Sequence, residues 1–142
     1  MTRIAILAAL VLLLPGWTQP GDSILRFVDS TENPEKTADE IADRDMYVGR
    51  AEAEKGNRIG ALYRFKTVVT RFQTSRHVEE ALARLAEMYL ALGVPEEAQT
   101  LVAVLGRKFP NGRWSAEAHD ALKAAGLEPA EDESSWTRRT FK

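Results

Sequence analysis

The chain has no cysteine, which excludes disulfides, thiol nucleophiles and cysteine-ligated metals together. Its two histidines, His77 and His119, stand far apart with no second histidine or carboxylate at ligand spacing, so neither a metal nor any other cofactor is expected. An excess of positive charge is also lacking. The chain has 19 basic residues against 21 acidic ones, a net charge of -2, whereas a nucleic-acid-binding domain carries a basic surplus to displace phosphate counterions. No Gly-x-Ser-x-Gly elbow, phosphate-binding glycine loop or His-Glu-x-x-His helix occurs, and no carboxylate stands in an apolar setting that would raise its pKa. These absences argue against an enzyme. The longest apolar run, Ile4 to Leu14, is 11 residues, short of the roughly 20 that a membrane-spanning helix needs.

That run has another use. Arg3 precedes it and Pro15-Gly16 breaks it, so residues 1–19 read as an export signal. Residues 20–36 follow as a linker rich in Asp, Ser, Thr, Glu, Asn and Pro. A capping box, Thr37 with Glu40, marks the start of a folded region over residues 37–127, and residues 128–142 form a carboxy-terminal tail.

The folded region has helical periodicity. Ile59, Leu62, Phe65, Val69 and Phe72 recur at three- and four-residue steps, as do Val78, Leu82, Leu85, Tyr89 and Leu92, and then Ala98, Leu101, Val102, Leu105 and Phe109. Pro95 fits the start of the third stripe, and Gly56 and Gly93 are placed to end the helices before them. The landmarks repeat: Gly56 and Gly93, Ala61 and Ala98, Val68 and Leu105, Phe72 and Phe109 are each 37 residues apart. A period of this size built from helical pairs marks a solenoid, here two helix-turn-helix units and the first helix of a third. Small residues, Gly49 or Ala86 facing Ala61 or Ala98, would let paired helices approach closely.

The fold class is therefore all-α, and the pattern resembles the tetratricopeptide repeat, with about two and a half repeats. The second unit fits through Ala86, Tyr89, Ala98 and Pro110. The first fits through Gly49, Ala61 and Phe65 and departs at Glu52 and Gln73. A longer resemblance runs from Gly56-Asn57-Arg58-Ile59-Gly60-Ala61-Leu62-Tyr63-Arg64-Phe65 through Val69, and from Thr74-Ser75-Arg76-His77 to Leu85. These stretches are similar to the last two repeats of the BamD family of outer-membrane β-barrel assembly lipoproteins, and Gly126-Leu127-Glu128-Pro129 and Ser135-Trp136 are similar to the ending of its alphaproteobacterial members. Pro34 to Glu40 resembles the segment that opens the family's first repeat, so the resemblance implies that the middle repeats are absent. A lipid-bearing cysteine should follow Leu14-Pro15-Gly16, where this chain has Trp17, so no lipid anchor is expected.

What the resemblance implies is a non-catalytic interaction module in the periplasm, peripheral to the outer membrane. In the family the carboxy-terminal repeats dock on POTRA domains of the barrel subunit BamA and on small accessory lipoproteins. Arg64 falls where the family places an arginine at the POTRA interface, although a solvated helix face would also carry such a residue. Arg71, Arg76 and Arg84, with His77, form a second basic group at the junction of the units, open to an acidic partner loop or simply to solvent. Trp114 is expected against Phe109 or the preceding hairpin, and the tail either stays free or lies back on the solenoid through Trp136 and Phe141. The first helix lacks a preceding repeat, so a partner or a second copy is expected to cover it. A free periplasmic adaptor for cell-wall or division proteins, or a degenerate homologue, are the competing readings.

Overall fold

The computed structural model describes residues 34–130 and 135–141. The expected export signal, the linker up to residue 33 and the side chain of Trp136 lie outside the described residues. All regular elements among the described residues are helices: α1 (Pro34–Glu54), α2 (Arg58–Arg71), α3 (Val78–Ala91), α4 (Pro95–Lys108), α5 (Arg113–Ala124) and α6 (Ser135–Thr140). Each of α1 to α4 packs on the next, and α5 packs on both α3 and α4. The tetratricopeptide-like repeat is thus present as two helical hairpins and the leading helix of a third.

α1 starts at Pro34, three residues before the capping box that the sequence offers as its beginning. Proline suits a first helical turn because its φ is already helical and its missing N–H has no partner to lose there. The hairpin turns obey the repeat in detail. Gly56 and Gly93 take φ of 79° and 75°, a left-handed conformation that a side chain would strain. Phe72 and Phe109 end α2 and α4 in matching geometry, φ -126° and -132°, each amide donating to a carbonyl four residues back, Val68 and Leu105. The 37-residue offset is therefore a repeat of backbone conformation as well as of residue type.

Phe65, Met46, Leu82, Leu85, Leu101, Leu105 and Leu122 are fully buried. Burying one such side chain stabilises the fold by about 1.5–3 kcal/mol, so these positions supply much of the drive for stacking. Gly49 owes its size to one of them. A Cβ built there would lie 2.6 Å from Cε1 of Phe65, so the aromatic ring is the nearest limit on this position.

Two helix starts receive a carboxylate from the repeat before them. The N-cap residues of α3 and α5, His77 and Gly112, make no side-chain cap bond. Instead Asp39 Oδ1 on α1 accepts from the Arg76 amide at 3.2 Å, and Glu79 Oε1 on α3 accepts from the Ser115 amide at 3.1 Å. Glu79 satisfies an orphan donor in the first turn of α5, Asp39 binds the turn just before the α3 N-cap, and both place negative charge at the positive end of a helix dipole.

The tail is held. Gln99 Nε2 donates to the Glu128 carbonyl at 2.7 Å, and the Ala130 amide donates to the Gln99 carbonyl at 3.2 Å. α6 packs on α4, with Thr137 buried and the Lys108 ammonium 4.9 Å from the centre of the Phe141 ring. Of the two arrangements open to the sequence, the described parts of the tail, residues 128–130 and 135–141, adopt the one that lies back on the solenoid.

Candidate protein interface

The four arginines singled out by sequence fall into different settings. Arg76 and Arg84 belong to an ion-paired seam joining the first helices of successive repeats. Arg76 Nη2 donates to both oxygens of Asp43 on α1 at 2.9 Å, and His77 Nε2 meets the same carboxylate. The hydrogen bond from Arg76, then that from His77, holds the Asp43 carboxyl below its ordinary range. The histidine thus has a carboxylate neighbour after all, brought by folding from 34 residues away.

Arg84 donates through Nη1 to Glu87 at 2.9 Å, and its guanidinium sits 4.9 Å from the centre of the Trp114 ring. Arg113 approaches the same ring at 4.9 Å, so Trp114 is held by two cations beside the core. Arg84 Nε is buried without a hydrogen-bond partner, 3.8 Å from Glu80 Oε1. Its neighbour Arg50 carries the strongest link of the seam, two hydrogen bonds to the Glu80 carboxylate at 2.8 and 2.6 Å. Burial pushes the Glu80 carboxyl up, but the Arg50 hydrogen bond and the Arg50 and Arg84 charges outweigh it, leaving a net lowering. A cleft lined by Arg50, Ala53, Glu54, Phe65, Arg84 and Glu87 lies beside this link. The junction is therefore a neutralised network of arginines and carboxylates.

Arg64 and Arg71 lie on α2. Arg64 Nη1 donates to Asp45 Oδ1 on α1 at 3.0 Å, the arginine side chain 43% exposed and the aspartate 12%. Internal comparison gives this pair its meaning. Asp45 and Arg64 stand 37 residues before Leu82 and Leu101, both fully buried in the second hairpin. Likewise Ile41, 45% exposed, stands 37 residues before Val78, 4% exposed. Where the second hairpin buries leucines, the first hairpin presents an ion pair flanked by an exposed isoleucine. Arg71, in the last turn of α2, is exposed and makes no ion pair with any described residue.

Stacked helical hairpins, a mixed polar and apolar leading face and an ion-paired seam define a repeat protein of the tetratricopeptide type. The profile of the family described as "YfiO: Outer membrane lipoprotein" matches residues 28–105, more than half of the sequence, and the chain belongs to that family. Curated relatives are named outer membrane protein assembly factor BamD. The protein from Caulobacter vibrioides is 45% identical over 92 residues, covering 65% of this chain and 30% of the relative. That from Rickettsia prowazekii is 36% identical over 96 residues, covering 68% and 38%, and that from Neisseria meningitidis serogroup A is 32% identical over 90 residues, covering 63% and 34%. The chain thus spans about a third of the length of these relatives. No helix among the described residues is long and apolar enough to cross a membrane.

Proposed function

We propose that this chain is a non-catalytic docking module in outer-membrane protein assembly, working on the periplasmic side of the outer membrane and binding a BamA-like POTRA domain. The observation that carries the proposal is the similarity to BamD proteins, 45% over 92 residues in one case, with the family profile matching residues 28–105. The leading face of the first hairpin is the proposed contact. Ile41 supplies apolar area to bury, and Arg64, held by one nitrogen to Asp45, keeps other guanidinium donors for a partner carboxylate.

The test is affinity capture from envelope fractions with the full chain as bait. BamA is expected among the captured proteins, and Arg64→Glu reduces its recovery by at least about tenfold, because it sets a negative charge beside Asp45 and opposite an acidic partner. Absence of BamA from the wild-type capture sinks the proposal. Sedimentation of the purified chain separates this partner from a second copy: a concentration-dependent dimer that Arg64→Glu dissociates would assign the face to self-association instead.

A further inference from the structure

We propose that the outer stripe of α2, formed by Tyr63, Thr67 and Arg71, is a separate docking surface for an acidic peptide segment that carries an aromatic side chain. The second hairpin shows how such a stripe is covered. The positions 37 residues on are Thr100, Val104 and Lys108 of α4. Thr100 is 4% exposed and Val104 0%, and the Lys108 ammonium lies on the Phe141 ring that comes with α6. On α2 the corresponding stripe is open: Tyr63 is 66% exposed, Ile59 one turn earlier is 64% exposed, and Arg71 has no ion pair with any described residue.

The chemistry at each end of the stripe names the occupant. Arg71 replaces Lys108, and a planar guanidinium stacks on an aromatic ring at least as well as an ammonium does, so an aromatic residue suits that end. Tyr63 provides a large, stiff ring for apolar contact. The Thr67 hydroxyl donates to the Tyr63 carbonyl at 3.0 Å, so it is already engaged within the helix. Charge then selects between candidate segments. Arg71 gives the stripe an exposed positive charge with no ion pair to any described residue, and α6 itself, with Arg138, Arg139 and the adjoining Lys142, is basic. The α6 of a second copy would bring like charge to like charge, whereas an acidic segment of the same shape meets complementary charge. This inference stands apart from the proposed BamA contact, which uses Ile41, Asp45 and Arg64.

The probe is a synthetic peptide of residues 134–142 carrying Arg138→Glu, Arg139→Glu and Lys142→Glu, titrated into the full chain and followed by amide chemical shifts. Binding is expected with shifts centred on residues 59–71. Arg71→Glu is expected to weaken it by at least about tenfold and Tyr63→Ala by about fivefold, the range of single interface anchors. The unaltered basic peptide is expected to bind at least about tenfold more weakly than the acidic one. No binding, shifts confined to α4, equal binding of the two peptides, or full binding by Arg71→Glu would each overturn the inference. Loss of BamA capture with the peptide still bound would defeat the proposed function and leave this surface standing.

Discussion

Replacing Arg50 by methionine removes the strongest tie between α1 and α3 while keeping a long apolar stem. The wild-type guanidinium makes two hydrogen bonds to Glu80, at 2.8 and 2.6 Å, and a charge-assisted bond contributes about 1.5–3 kcal/mol. The two share one ion pair and do not add fully, and the Arg50 side chain is 40% exposed, so water competes for it. Glu80 is only 11% exposed and keeps Arg84 Nε at 3.8 Å as a weak second partner. The net loss for Arg50→Met is therefore about 2 kcal/mol, which for a domain of this size lowers Tm by about 8–16 °C. Urea unfolding followed by circular dichroism should show this loss with an unchanged m-value, and Arg50→Met with Glu80→Leu should recover to within about 1 kcal/mol of wild type. The effect is pH-dependent in a fixed direction. The folded Glu80 carboxyl lies below its ordinary 4.5, so its contribution is complete above that value and disappears as pH falls through the folded pKa. The gap between wild type and Arg50→Met should close in acid. A loss below about 0.5 kcal/mol, or a double-mutant coupling near zero, would refute the view that this pair fastens the hairpins.

Gly49→Ala drives a methyl to 2.6 Å from the Phe65 ring and should cost about 1–3 kcal/mol in urea unfolding, with Phe65→Leu in the same chain restoring part of it. Asp43→Asn should remove one portion of the acid sensitivity. The folded Asp43 carboxyl lies below its ordinary 3.8, so wild type keeps that stabilisation above this value and loses it below, whereas the variant has none to lose. Comparing unfolding midpoints of the two proteins from pH 6 down to about pH 3 checks this, and parallel curves would count against the role of Asp43.

The repeat was readable because it is local. Gly56 and Gly93 announce themselves by residue type, and Phe72 and Phe109 by their place at the end of an apolar stripe, so hairpin boundaries follow from neighbours within a few turns. The seam was not readable, because Arg50 and Glu80 are 30 residues apart and meet only once the register between α1 and α3 is set by packing. Without that register, Arg76 reads as surplus positive charge, although folding supplies Asp43, whereas Arg84 has Glu87 three residues on within α3. The capping of α5 by Glu79 is hidden for the same reason, since a local signal would be a side chain at Gly112 itself. Arg64 stands out through the resemblance, and its partner Asp45, 19 residues earlier on α1, is brought to it only by folding.

The two ties of the seam differ in how much water reaches them, and that sets how the hairpins respond to ionic strength. Arg76 and Asp43 are 65% and 44% exposed, so added salt screens them readily, whereas the shielded Glu80 keeps its attraction for Arg50. In nearest-neighbour terms, salt weakens the coupling constant between the first repeat and the rest. The seam then loosens from the end where α1 begins and pivots about Arg50. The medium around the protein, and not the sequence alone, thereby sets how tightly the first hairpin follows the curvature of the second.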